Sequence, residues 1–362
     1  MNRIHKLDNK RISRREFLKI SGLGLGAIIL QSYLPAWAFP EVPATQPLGR
    51  VIGGNISIKT RPDIDSPDSG YLTDDDIVVW MREVVGKRPL WYSQKFVETP
   101  DGYIYSPNLQ PVWNIPNQPL KQLPAPEGMW VEVTVPYVDL ILQNPPARSP
   151  WIKRTALPRL YYSQVMWVDE IKQEDGKEWY RIKEQYGTFG DVFWAEAKAF
   201  RPLTEADISP IHPEVEDKYI QVNLTDQTLS CFEGNSEVYF ARVSTGGKFD
   251  VDGNPSDKWA TPIGQHSIWR KLISVHMTGG TTGGGYDLPG IGWTVLFSGN
   301  GVALHSTFWH NSYGIPRSHG CVNLNPVDAR WVFRWTIPNV EYTPGDVTIS
   351  GKGSTKVVVL ER

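Results

Sequence analysis

The chain has 362 residues, 40% of them hydrophobic and 21% charged, and a formal net charge of -2. That composition is the composition of a soluble globular protein with room for two or three domains, and it offers no basic footprint for nucleic acid or an anionic membrane surface. Two cysteines, Cys231 and Cys321, exclude a disulfide framework, while 29 prolines, 32 glycines, 15 tryptophans and 12 phenylalanines favour short strands and turns over long helices.

The first elements belong to targeting. Ser13-Arg14-Arg15-Glu16-Phe17-Leu18-Lys19 resembles the twin-arginine translocation consensus, an apolar run follows from Ile20 to Leu30, and Ala36-Trp37-Ala38 has the small-x-small form of a cleavage site. The apolar run is shorter than the roughly 20 residues of an ordinary membrane span. Residues 1–38 are therefore expected to be an export signal, cleaved or kept as an anchor, with the folded part outside the cytoplasm at the cell wall, in the periplasm or on the outer face.

From Val51 to Val112 short apolar runs such as Asn55-Ile56-Ser57-Ile58-Lys59 and Asp76-Ile77-Val78-Val79-Trp80 alternate with turn residues, which predicts a small barrel of short strands. With its Lys59-Thr60-Arg61-Pro62 loop and its closing Gly102-Tyr103-Ile104-Tyr105-Ser106 stretch, this region resembles a bacterial Src-homology-3-like module. Trp91-Tyr92, Gly102 and Tyr105 recur 88 residues later as Trp179-Tyr180, Gly190 and Phe193, so a second barrel-like module is expected over 128–203. The prolines at 116, 119, 124 and 126 make the intervening stretch read as a semi-extended linker. Most aromatics of such modules are core, and any exposed ones suit glycan or peptide.

Beyond Lys218 the strand pattern sharpens. Tyr219 to Leu224 alternates, Thr225-Asp226-Gln227 turns, and Thr228 to Phe232 returns, with Cys231 as a buried core residue. Further extended runs are Ala241 to Ser244 and Gln265 to Trp269; then Trp293 to Phe297 and Gly301 to His305 are joined by the turn Ser298-Gly299-Asn300. This predicts an antiparallel β domain whose last strands deliver His305 beside a loop carrying Ser318-His319-Gly320-Cys321. Asn325-Pro326 reads as a helix cap just beyond Cys321, with Val327, Trp331 and Trp335 on the buried face.

A thiol attacks as its thiolate, so Cys321 needs a base or a helix N-terminus nearby. The residues alone leave two bases open, His319 in the same loop and His305 on a rigid strand end. The Gly320 and Cys321 amides are natural oxyanion donors. A zinc set of His305, His310, His319 and Cys321 is the rival chemistry, though its spacing fits no paired-ligand pattern. His266, His276 and His310 otherwise read as ordinary surface or core residues, and the glycine-rich stretch within 276–290 as a flap or a plain loop.

Residues 217–362 resemble the catalytic domain of the L,D-transpeptidases (YkuD-type), whose motif is a strand-end histidine followed by Ser/Thr-His-Gly-Cys, an apolar residue and Arg or Asn. Here these are His305 and Ser318-His319-Gly320-Cys321-Val322-Asn323; Ser244-Thr245-Gly246 and Thr261-Pro262-Ile263-Gly264 fall in the family's order. The resemblance implies a β-sandwich with a short helix after the cysteine, His305 as base with its ring oriented by the Ser306 carbonyl, and His319 as a supporting donor. It places Arg317, Ser318, Asn323, Tyr286 and Trp293 at the substrate. The whole chain is expected to be mostly β, organised as an export signal over 1–38, a linker over 39–50, a barrel over 51–113, a Pro-rich linker over 114–127, a second module over 128–203, a linker over 204–216 and the catalytic domain over 217–362. The activity implied is transfer of a peptidoglycan tetrapeptide stem through a Cys321 thioester to an amine, without cofactor or metal and open to carbapenem acylation. Hydrolysis of the same thioester, which is carboxypeptidase activity, and a non-catalytic wall-binding protein are the alternatives. No integral membrane span is expected in the mature protein.

Overall fold

Short strands set by alternating burial account for most of the architecture. The computed structural model describes residues 46–88, 93–155, 157–249, 252–279, 285–299 and 301–361. The expected export segment and the Trp91-Tyr92 half of the repeat lie outside the described residues.

Three successive regions build six sheets among the described residues. In the first, Leu48–Val51 pairs with Ile77–Val79 and Leu109–Val112. A five-stranded sheet made from Asp68–Leu72, Ile56–Lys59, Gly102–Tyr105, Lys95–Thr99 and Arg82–Val85 completes it. Its core is its own: Val51, Ile56, Ile58, Val97, Ile104 and Leu109. The second region has a six-stranded sheet in the order Ile141–Leu142, Val192–Glu196, Lys177–Lys183, Val165–Glu174, Met129–Val133 and Phe200–Pro202.

Both regions close in the same way, with the first strand antiparallel to the last and a one-turn 3-10 helix leading into that last strand. These turns, Ser106–Asn108 and Ala197–Ala199, enter with nearly equal dihedrals, φ -61, ψ 119 at Tyr105 and φ -65, ψ 120 at Glu196. The structural repeat therefore pairs Tyr105 with Glu196, whereas the 88-residue spacing of the sequence pairs it with Phe193. Gly190 sits in the turn before Val192 at φ +84, outside the strand. Between the regions the proline-bearing stretch is tied down: the amides of Ile115, Asn117 and Leu120 donate to Thr134 O, Lys198 O and Tyr180 Oη.

The third region stacks two five-stranded sheets. One has the order Ser236–Arg242, Thr228–Glu233, Lys218–Asn223, Lys356–Leu360, Gly264–Ser267; the other Val322–Leu324, Val302–Ser306, Tyr286–Ser298, Arg270–Gly279, Asp346–Thr348. The expectation of an all-antiparallel domain fails in one respect, because each sheet holds a parallel pair. The pair Val302–Ser306 and Val322–Leu324 needs the long connection 307–321, since parallel strands cannot be joined by a hairpin. Trp130, Val165 and Trp167 of the second region share one continuous core with Ile220, Val295, Leu304 and Phe333 of the third.

The helix Pro326–Trp335 starts as its sequence predicts, with the Asn325 side chain accepting from the amides of Val327 and Asp328. Its buried face differs from the expected one: Ala329, Val332, Phe333 and Trp335 face the core, while Val327 is 75% exposed. Two buried lysines satisfy carbonyls at its far end. Lys271 Nζ donates to Phe333 O, Thr336 O and Pro338 O, Lys218 Nζ to Ile211 O and Trp335 O, and burial lowers both ammonium pKa values. Both cysteines are free thiols, and Cys231 lies in the core, where burial pushes its pKa up. Among the described residues no helix is long and apolar enough to cross a membrane.

Candidate active site

The parallel pair sets the geometry. Leu304 lies opposite Val322 and His305 opposite Asn323, so Cys321, two residues before Asn323, falls on the same face as His305. Both line a cleft of about 550 Å³. Gly320, at φ +116, gives the loop the left-handed turn that brings the chain into the strand, a conformation other residues adopt at a cost.

Protonation follows from burial. His305 Nδ1–H donates to Ser306 O at 2.8 Å, which fixes the tautomer and leaves Nε2 to accept. Burial pushes His305 down to about 4, and that hydrogen bond offsets only part of the shift. Burial likewise pushes the Cys321 thiol up to about 11 against a backbone hydrogen bond with Ala303. At neutral pH these shifts leave Cys321 as a thiol, its Sγ 3.9 Å from Gly301 O, and His305 as a neutral imidazole.

Of the expected site residues, Tyr286, Arg317, Ser318, His319 and Asn323 line this cleft with His305 and Cys321. The His319 ring packs edge-on to Trp259 at 4.6 Å and against Tyr286 at 5.2 Å. Tyr286 opens the long strand paired with Arg270–Gly279, and burial, together with the Cys321 charge, raises its phenol pKa. Arg317 donates to Ser312 Oγ; burial lowers its pKa, and among the described residues no carboxylate pairs with it.

Three expectations need correction. Trp293 is only 1% exposed and packs on Phe333 in the core, because the helix Pro326–Trp335 lies over its strand; it does not line the cleft. The Gly320 amide, expected as an oxyanion donor, already donates to Ser318 Oγ at 3.1 Å, and Ser318 Oγ donates on to Cys321 O at 2.5 Å. Ser318 thus shapes the loop. The helix N-terminus lies beyond the strand Val322–Leu324 with its first amides capped by Asn325, so it exerts no direct pull on the thiol.

Other participants have no motif in the sequence. Trp309, four residues past His305, stacks on its ring at 5.8 Å, a spacing that could have marked it. Trp151, Arg154 and Thr155, on and just after the helix Pro150–Arg154 of the second region, form a wall of the cleft, and the Trp151 amide donates to Asp287 beside Tyr286. His276 bridges the regions as well. Its Nε2 contacts Asp287 Oδ1 at 2.5 Å, and its Nδ1 lies 2.6 Å from Glu184 Oε1, a close ion-pair contact without hydrogen-bond alignment. Burial opposes its charge, but Glu184 and Asp287 outweigh burial and raise its pKa.

His310 is buried and bound at both nitrogens. Its Nδ1 accepts from the Ser312 amide at 3.1 Å, so the proton of the neutral ring sits on Nε2, 2.8 Å from Asn323 Nδ2. Two donors would meet there, while Asn323 Oδ1 lies buried without a partner. Turning the amide resolves both: Oδ1 accepts from His310, and Nδ2 takes the other side of the group. Among the described residues no group of three His, Cys, Asp or Glu side chains could hold a metal ion, and His310, bonded at both nitrogens, has none to give the rival zinc set.

Residues 217–359 match the family model described as the YkuD L,D-transpeptidase catalytic domain. No curated protein matches the chain. Among solved structures, similarity is found to an L,D-transpeptidase from Xylanimonas cellulosilytica at 20% identity, covering 40% of this chain and 60% of that one, with a TM-score of 0.29. An L,D-transpeptidase from Mycobacterium smegmatis is 16% identical over 53% of this chain and 98% of its own, with a TM-score of 0.31; one from Mycobacterium tuberculosis is 19% identical over 55% and 77%, with a TM-score of 0.30. The chain thus spans less than two thirds of the Xylanimonas protein's length. Superpositions this weak carry no argument, and the sequence match over 217–359 is what identifies the domain.

Proposed function

We propose that this chain, whose residues 217–359 are an L,D-transpeptidase catalytic domain, is an exported peptidoglycan transpeptidase that works through Cys321. The observation that carries the reading is the placement of His305 and Cys321 on one face of a parallel strand pair, inside a cleft. The Cys321 thiol attacks the carbonyl at the third position of a tetrapeptide stem as its proton passes to His305 Nε2. The tetrahedral oxyanion is met by the Cys321 amide. The C–N bond then breaks, His305 returns the proton to the departing amine, and the terminal D-alanine leaves. A second amine gives its proton to His305, attacks the thioester and releases the cysteine; water in its place gives carboxypeptidase activity.

Arg317, a buried cation without a carboxylate partner among the described residues, suits a stem carboxylate, and Arg154 adds a second positive charge from the neighbouring region. The shared chain path of the first two regions supports reading them as Src-homology-3-like modules that carry the catalytic domain at the wall. Incubating the protein with purified muropeptides and following products by mass tests the reading. Cross-linked dimers or amine adducts support transfer, tripeptides alone support hydrolysis, and unchanged muropeptides with an unmodified Cys321 sink it.

A further inference from the structure

A second cleft, of about 610 Å³, lies where the three regions meet. The segment 307–313 is a wall common to both clefts: Trp309 lines the catalytic one, and Thr307, His310, Asn311 and Tyr313 line the second. Ser163 stands out in this second cleft. It is 2% exposed, its Oγ has no hydrogen-bond partner, and its backbone is held at φ +73, in the left-handed region that a serine enters only at a cost. A buried hydroxyl without a partner on a strained backbone marks a place kept for something other than packing.

The chemistry of the remaining lining narrows what that something is. Of the charges there, Arg330 holds Asp207 and Glu132 pairs with Arg201, while Arg334 is bonded to the Ser209 carbonyl and hydroxyl and has no ion pair among the described residues. The rest of the lining is aromatic and neutral. Trp113 is 38% exposed, Tyr162 and Trp331 line the same cleft, and burial, with the Glu132 charge, pushes the Tyr162 phenol up to about 12, so it stays a neutral hydroxyl. Flat aromatic surface beside neutral hydroxyls fits a ligand with apolar ring faces and many hydroxyl groups.

We propose that this second cleft binds a carbohydrate chain, with sugar rings packed on Trp113 and its neighbours. Identifying that chain with the glycan strand that bears the stem peptides rests on the function proposed above; the sugar site itself does not. Holding the glycan there and the peptide beyond the segment 307–313 would grip one polymer at two points.

The test is calorimetric titration of the full chain, carrying Cys321→Ala to prevent turnover, with a tetramer of β-1,4-linked N-acetylglucosamine. Saturable binding is expected, weakened roughly tenfold by Trp113→Ala and unchanged by Trp309→Ala in the other cleft. Ser163→Gly, which relieves the backbone while deleting the hydroxyl, should also weaken binding without lowering the thermal midpoint. The proposal is overturned if the tetramer does not bind, if Trp309→Ala rather than Trp113→Ala abolishes binding, or if a stem tetrapeptide competes for the Trp113-dependent site. Sugar binding in this pattern by a wild-type protein that leaves muropeptides unchanged would remove the transpeptidase reading and keep the cleft. The reverse outcome would do the opposite.

Discussion

The first and second regions share a chain path but stand differently toward the catalytic domain. The first keeps a core of its own and reaches the site through a few polar links: Arg50 Nη2 donates to Phe308 O at 2.8 Å, and the Asn311 side chain meets Ser106. The second shares its core with the catalytic domain and supplies a wall of the catalytic cleft. Similar modules thus have different duties. One buttresses the segment behind His305; the other is physically part of the cleft.

The largest effect that would break this contrast is in the shared core. Trp130 packs edge-on to Trp167 at 5.0 Å and donates to Tyr342 O, and Trp130→Ala should cost about 3–5 kcal/mol and slow acylation of Cys321. Ile104→Ala, in the separate core, should cost about 2–5 kcal/mol and leave acylation unchanged. Denaturant unfolding beside acylation kinetics reads both; equal kinetic effects would erase the distinction.

Arg50→Ala comes next. It strips a buried ion pair from Asp75 and a hydrogen bond from Phe308 O, at a cost of about 3 kcal/mol, and should slow acylation because the segment 307–313 loses its anchor. Unaltered kinetics would show that the first region is a mere spacer. Smaller still, Arg154→Ala should raise KM for the stem peptide while sparing reaction of Cys321 with a small acylating agent, since Arg154 touches the cleft and not the thiol.

The smallest effect is the pH response of the His276 link. Its folded-state pKa is raised, so its contribution is fully present below the unfolded value near 6.5 and is lost as pH rises through the raised value. The thermal midpoint should therefore fall between about pH 6 and pH 9 by more in the wild type than in His276→Gln. Parallel curves would show that the link between Glu184 and Asp287 does not depend on the His276 charge.

What was legible in the sequence was local. The hairpin of Lys218–Asn223 and Thr228–Glu233, the strand carrying His305 and the Asn325-Pro326 cap all announce themselves through alternation, turn residues and capping chemistry. Long-range facts left no such mark. Trp151 and Arg154 reach the cleft from a different region, and Trp293 is buried because a helix some thirty residues later in the chain packs on it. The Gly320 amide looked available only because nothing in the order of residues shows that the Ser318 hydroxyl folds back onto it.

The most direct test of the account is the mass of Cys321 after reaction with a stem tetrapeptide, followed in the wild type, His305→Ala and Cys321→Ala. The account predicts a thioester on the wild type lacking the terminal residue of the stem, a loss of acylation by several orders of magnitude in His305→Ala, and none in Cys321→Ala. Turnover that survives Cys321→Ala, or acylation that survives His305→Ala and fails in His319→Ala, would contradict it.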